Sequence, residues 1–457
     1  MKGTEVRQPM MCHRARTLPN GLKVVAVQMP HLHSAELALY IKVGGRNDPP
    51  GKAGLAHFLE HMLFRGTEEF PTSLDIETAF ETIGGSINAS TDEECTCFFS
   101  RLHPGEVPRG VEILSSMLLR PLLADLEIEK RIITEEALDD LSEKGDDVNP
   151  HNLASRLLWP GHPLGEPTIG TLETIASFTS EDLRRHLETY YRPGNGVLVV
   201  AGNFEPELLF AAAESHFSSW LPGRVPEISP PREEQQDPRA TFVADADSQA
   251  HLQLSFRSVC RHDPRIMSLR LLRRILCGSG CARLHMNLRE RLGIVYSVDA
   301  NIAAYEETGY FSIELSTGAE NLATAVAETL AEVTRLAKGP VPPQELERVR
   351  RSYFYELEYS RDSCYEMQVR YGWGELMGLV RQIEEDVAEA SALTSEDLMA
   401  AARELFRPAS LNVVVVGAWQ EQERGAVMEK VAAYAAAWQE AGGRSAVSSR
   451  DGLAVIT

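Results

Sequence analysis

Phe178–Asn203 reads FTSEDLRRHLETYYRPGNGVLVVAGN, and Leu393–Ala418, at a constant offset of 215, reads LTSEDLMAAARELFRPASLNVVVVGA. The two align without a gap and share ten of twenty-six positions, among them Thr-Ser-Glu-Asp-Leu and an Arg-Pro pair. Thr179 or Ser180, with acids just behind, predicts a helix N-cap, and Pro193 and Pro408 stop each helix. The runs that follow, Val197–Val200 and Val413–Val416, have the length and branching of buried strands. A helix-to-strand unit written twice predicts two homologous domains in tandem, each of ordinary domain size.

Outward from the repeat, Pro222–Arg239 holds five prolines in polar, charged company, which is linker composition. It divides an N-terminal domain at 1–221 from a C-terminal domain at 240–457, with 222–239 as the linker. Period-two stretches such as Ser34–Val43 and Tyr310–Ser316 sit among helical patterns such as Asn321–Ala337. Each half is therefore expected to be α+β, an antiparallel-rich sheet with helices packed on one face.

The chemistry concentrates in His57-Phe58-Leu59-Glu60-His61. Spacing of i, i+3 and i+4 puts two imidazoles and a carboxylate within about 100° of helical arc. Two neutral imidazoles can bind one Zn²⁺ while Glu60 reaches a water beside it, the inverted zincin order H-x-x-E-H. The surrounding Leu55, Ala56, Phe58, Leu59, Met62 and Leu63 make this a packed helix, where an unpaired cluster of this kind would cost several kcal/mol. A catalytic zinc needs a third protein ligand. Glu129 and Glu136, seven apart on a helical pattern, nearly superpose, and either could face the metal. Glu135, Asp139, Asp140 and Glu143 read as a solvated acidic face.

The chain has 457 residues, 66 acids against 45 bases, a net charge of -21 and 43% apolar residues, the composition of a soluble globular protein. So large an acidic surplus repels phosphate backbones and argues against a nucleic-acid partner. The seven cysteines form no C-x-x-C; Cys95 and Cys97 in a strand, and Cys277 and Cys281 in a helix, read as core thiols. No apolar run is long enough to cross a bilayer. Met1–Asn20 has no h-region, and Arg7, Arg14 and Arg16 are too few for a transit peptide, so a cytoplasmic protein is expected.

With motif and repeat together, the chain resembles the pitrilysin/insulinase family of zinc peptidases, in particular its short branch, which includes mitochondrial processing peptidase and bacterial relatives. The resemblance runs from Leu18 to about Trp419 and implies a zinc endopeptidase with one Zn²⁺ per chain. His57 and His61 would be ligands, Glu60 the general base, Glu136 the distal ligand and Glu129 a partner that orients a ligand. Gly84-Gly-Ser-Ile-Asn88-Ala89-Ser-Thr91 resembles the family's edge strand, onto which an extended peptide adds, with Asn88 and Ala89 at the substrate backbone. Leu288-Arg289 through Tyr296 resembles its R-x6-Y element, implying that Arg289 and Tyr296 bind the substrate carbonyl and the developing oxyanion; Arg291 is the neighbour that could be confused with Arg289.

The repeat offset carries the metal motif onto Leu271–Leu276, which holds Arg273 and Arg274 but no His or Glu, so only one half binds metal. Short family members dimerise around a chamber, which implies a homodimer with Arg289 and Tyr296 given in trans, or a heterodimer with a related chain. The rival reading is a non-catalytic or hetero-partnered subunit of a processing complex. Residues 60–94 hold nine acids and one base, and 125–149 ten acids and three bases, so -15 of the -21 sits on the stretches that carry the site. A chamber lined by one sign of charge concentrates the other, which points to basic peptides.

Overall fold

Both copies of the repeat fold alike. Thr179 accepts the backbone N–H of Asp182 at 3.2 Å and Thr394 that of Asp397 at 3.1 Å, while each acid accepts the threonine's own N–H, a capping box in both places. The computed structural model describes residues 12–232 and 234–441; Arg7 and the first half of the polar N-terminal stretch lie outside them.

Strands β1 (Cys12–Thr17), β2 (Lys23–Gln28), β3 (Ala35–Ile41), β4 (Asn88–Thr91), β5 (Thr96–Leu102) and β6 (Gly196–Gly202) form one sheet in the order β1-β2-β6-β3-β5-β4. Strands β7 (Arg239–Ala244), β8 (Ala250–Ser258), β9 (Val295–Ala304), β10 (Gly309–Thr317) and β11 (Leu411–Gly417) form a second in the order β7-β11-β8-β10-β9. Only β2/β6 and β11/β7 pair in parallel, so both sheets are antiparallel-rich and the class is α+β. The helices that matter for the site and its support are α1 (Leu55–Met62), α2 (Val107–Leu119), α3 (Leu126–Leu138), α4 (Pro150–Leu158), α5 (Ser180–Tyr190), α6 (Ile266–Cys277), α7 (Leu322–Lys338), α8 (Cys364–Gln368) and α9 (Ser395–Leu405).

The chain divides into two compact units. One division falls inside the Pro-rich stretch, between Ile228 and Ser229, but two segments do not follow chain order. Leu138–Gly165 belongs with the second unit and Glu356–Ile383 with the first. The reason lies in the strands. Every residue of β3, β6 and β11 is buried, so these strands need cover on both faces.

In the first unit, Leu37, Leu39, Leu198 and Val200 meet a core built from α1, α2 and α5, including Phe58, Leu59, Leu114 and Leu183. The opposite face is covered by α8 and the π-helical turn Val369–Trp373 that follows it. Gly372 sits so close to the sheet that a Cβ there would lie 2.4 Å from Val199 Cγ1, which requires glycine. In the second unit Phe256, Phe311 and Phe406 stack edge to face on one side of the sheet, with centroids 5.0 and 5.5 Å apart. On the other side Leu153, Ala154 and Leu157 of α4 pack on Val414 and Val416.

All seven cysteines are free thiols. Cys95 and Cys97 are buried, as their strand reading requires, but α6 ends at Cys277, and Cys281 lies beyond it, exposed. The single helix expected to hold both therefore stops after the first, at Gly278, whose N–H closes on Arg274 O. No helix among the described residues is long and apolar enough to cross a membrane.

Candidate metal centre

The helix that carries the motif has an unusual start. Its N-cap is Gly54, at φ +92, where a Cβ would meet Ile169 O at 2.4 Å, so glycine is needed and no side-chain cap is available from that position. Asp48 supplies one from a distance. Its buried carboxylate accepts the N–H groups of Gly54 at 2.7 Å, Leu55 at 3.1 Å and Ala56 at 2.9 Å. Three donors that a helix N-terminus leaves unpaired are thereby satisfied, while burial raises the Asp48 carboxyl's pKa against those three hydrogen bonds. The same loop is tied to the turn between β4 and β5 through Gly45 N to Asp92 O and Arg46 N to Glu93 O, both 3.0 Å, and through the buried Arg46–Glu94 ion pair.

With its start fixed and Leu55, Ala56, Phe58, Leu59 and Met62 in the core, α1 presents His57 and His61 side by side, with ring centroids 4.6 Å apart. Glu136 on α3 faces both, its oxygens 3.7 Å from His57 Nε2 and 3.6 Å from His61 Nε2. One ligand atom from each of the three lies within 4.8 Å of the others. Between the two glutamates the structure thus brings Glu136 to the imidazoles' outer nitrogens.

Glu129, two turns earlier on α3 and buried, stands behind. It accepts a hydrogen bond from His61 Nδ1 at 2.9 Å and pairs with Arg65. Donation through Nδ1 leaves the Nε2 lone pair directed at Glu136, the tautomer a metal requires. Burial opposes the charge on Glu129, but the His61 and Arg65 hydrogen bonds outweigh it and hold the carboxyl below its usual range. His61 is the converse: burial disfavours its charge, yet the Glu129 bond and the charges of Glu60 and Glu136 raise its pKa. Burial and the neighbouring His61 push His57 down to about 3, so that ring is neutral at pH 7, with Nδ1 buried and unpaired. Two imidazoles and a carboxylate converging at this range are a donor set that fits Zn²⁺.

Glu60, 6% exposed, lies beside the cluster. Thr91 of β4 donates its hydroxyl to Glu60 Oε2 at 2.6 Å, while burial raises the carboxyl's pKa against that bond. A cavity of about 420 Å³ opens in front, with Glu60, His61, Phe64, Asn88 and Ala89 among its walls. β4 is an edge strand, so one side of its backbone is unpaired among the described residues. Asn88, Ala89 and Glu129 therefore lie in the first unit with His57, His61 and Glu136.

Arg289 and Tyr296 belong to the second unit. Arg289 lies on the π-helix His285–Arg291, 2.9 Å from His285 Nε2, with its guanidinium 5.6 Å from the ring of Tyr296, which is 80% exposed at the start of β9. Arg291 is instead tied to Asn287 and Glu328, which separates it from its neighbour. α6 occupies the position the repeat assigns to the metal helix, and there Arg273 donates to Ala300 O and Arg274 lies over Tyr353. Asp140, read from sequence as solvated, instead accepts from Asn149 at 2.7 Å and Asn152 at 3.0 Å. Asp48, Arg65 and the role of Thr91 had no sequence signal beyond Arg65 standing one helical turn after His61.

Residues 23–172 match the family model described as insulinase (peptidase family M16), and 177–353 that described as the M16 inactive domain. A Bacillus subtilis protein named as an uncharacterized zinc protease is 31% identical over 85% of this chain and 95% of its own. A similarly named Streptomyces coelicolor protein is 27% identical over 88% and 89%. Among solved structures, a protease from Helicobacter pylori superposes with TM-score 0.82 at 20% identity, covering 90% of this chain and all of that one. An M16 inactive-domain protein of Pseudomonas fluorescens gives 0.80, also at 20% identity, covering 89% and 98%.

Replacing Asp48 with Ala strands three backbone donors at the start of α1, so unfolding free energy should fall by about 2 kcal/mol or more. Denaturant titration of Asp48→Ala beside Asp48→Asn, which keeps an acceptor oxygen and should lose less, checks it.

Proposed function

Because the chain belongs to the insulinase family of peptidases (M16), we propose that it is a zinc-dependent endopeptidase acting on peptides or short unfolded segments. The observation that carries this reading is the convergence of His57, His61 and Glu136 within 4.8 Å, with a buried carboxylate, Glu60, alongside. Zn²⁺ held by those three residues would supply Lewis acidity toward the scissile carbonyl and toward water.

The protein's own groups do the rest. Neutral His57 presents its lone pair as it stands, whereas His61, oriented by Glu129 and with its pKa raised, must release any Nε2 proton to offer its own. Glu60, aimed by Thr91, takes a proton from the attacking water and passes it to the leaving amine, and its burial favours holding that proton between the two events. A peptide laid along β4 pairs with its unpaired edge, with Asn88 and Ala89 beside the scissile region. Arg289 and Tyr296 are suited to the developing oxyanion. In this reading a second copy of the chain delivers them, so that a homodimer holds two sites in a closed chamber. The acidic stretches 60–94 and 125–149 support a preference for basic peptides.

Purified wild-type and Glu60→Gln proteins should both carry about one zinc per chain by metal analysis, while peptide cleavage in the variant falls by about 10²–10⁴-fold. Zinc-loaded wild-type that cleaves no peptide would instead favour the non-catalytic subunit. Mixing inactive Glu60→Gln with inactive Tyr296→Phe chains should restore cleavage, because one site of the mixed dimer is then whole; no recovery between freely exchanging chains counts against action in trans. Cleavage of an Arg-rich peptide should fall as salt rises while that of a neutral peptide holds; equal responses would remove the electrostatic preference.

A further inference from the structure

The cavity in front of Glu60 and His61, about 420 Å³, is in the size range of a small-ligand site and has more wall than the cleavage chemistry uses. Beside Asn88 and Ala89 that wall includes Phe64, Arg65 and Ser73, all in the first unit. Of the eight lining residues, Arg65 is the one with a permanent positive charge. It is anchored from behind. Its side chain, 19% exposed, pairs with buried Glu129 through Nε, and Glu129 accepts from His61 Nδ1 at 2.9 Å. The two terminal nitrogens make no hydrogen bond or ion pair among the described residues, and neither is sealed from solvent. What remains free is the planar fork of donors that matches the two oxygens of a carboxylate.

A neighbouring feature has the same sign. Ser73 opens the helix Ser73–Thr82, whose N-terminus carries partial positive charge. Asp75, the acid of its first turn, is turned back onto the N–H and hydroxyl of Thr72. The carboxylates of the cavity are likewise committed, Glu129 to Arg65 and His61, and Glu60 to the Thr91 hydroxyl. A carboxylate arriving on the Arg65 fork gains charge-assisted hydrogen bonds, with Phe64 and Ala89 as apolar wall for its methylene stem. A basic side chain entering the same space meets the guanidinium as a like charge, and an apolar one leaves the fork to water.

We propose that this cavity is a subsite for a carboxylate of the bound peptide, and that Arg65 is the residue that reads it. An Asp or Glu side chain pointing toward α1 and the C-terminus of the peptide share this chemistry, and the test separates them. The inference rests on peptide addition to β4. It adds one acidic position to substrates that the acidic stretches otherwise select for basic charge.

Binding is measured rather than turnover, so that the subsite and the peptidase reading can fail separately. Full-length, zinc-loaded Glu60→Gln protein is titrated by fluorescence anisotropy with peptides carrying Glu or Gln at one scanned position, and with peptides ending in a free acid or an amide. One pair should differ in Kd by about tenfold or more, as expected for hydrogen bonds to a charged group. A responsive Glu/Gln pair assigns a side-chain carboxylate, and a responsive acid/amide pair assigns the C-terminus. Adding Arg65→Met should bring that ratio close to one, while Arg65→Lys, which keeps a cation, should retain part of it. A ratio within one protein is insensitive to a general loss of affinity. Equal Kd across every pair, or a ratio that Arg65→Met leaves unchanged, overturns the subsite. A carboxylate preference that depends on Arg65, in a protein whose wild-type form cleaves nothing, sustains the subsite and overturns the peptidase reading. Failure to bind any peptide overturns both.

Discussion

A strand buried on both faces must be covered on both faces, and most of what is distinctive here depends on that constraint. β3 and β6 expose no residue, so α1 and its neighbours close one side of the first sheet and the segment 364–373 closes the other. Covering a flat, Val-rich surface is favourable at roughly 25 cal/mol per Å² of apolar area removed from water. The consequence is geometric: the short edge strand β4 is flanked by the Glu60 and His61 side of α1 on one face and by a small cavity on the other.

The site is held by a second constraint, that buried charge must be paired. Glu129, Arg65 and His61 form one set and Arg46 and Glu94 another, while the buried Asp48 carboxyl is met by three backbone N–H groups. Removing one member of such a set leaves its partner uncompensated in a low dielectric, which is why these groups give geometric definition more than net stability. Their arrangement fixes the start of α1, the tautomer of His61 and the turn that ends β4. Together those set where Glu60 stands relative to β4.

Much of the fold was legible because it is written in local chemistry. The cap threonines 179 and 394, the prolines after each helix and the Val runs each act within a few residues, and the observed capping boxes and strands follow them. The metal motif was legible for the same reason, since helical periodicity alone superposes His57, Glu60 and His61. Helical periodicity alone did not choose Glu136 over Glu129 as the residue facing both imidazoles, because seven-residue spacing places both on one face; the family resemblance pointed to Glu136, and the docking of α3 separates the two. Cys281 falls outside α6 because Gly278-Ser279-Gly280 ends the helix, a stop signal that is itself local.

By itself, then, the sequence determined the doubled α+β plan and the helix that sets His57, Glu60 and His61 on one face of the first half, since each depends on neighbours in the chain. Tertiary structure decided which segments cover which sheet, that Asp48 caps α1 from six residues away, that Thr91 aims Glu60, and that Gln368 lies buried behind β4. Thr91 reaches Glu60 across 31 residues of chain, Gln368 lines the same cavity as residues of β4 and β5, and Asp48 meets α1 through the folding of a turn. Chain propensity carries no record of such distances; only the packing of both sheet faces brings them into reach.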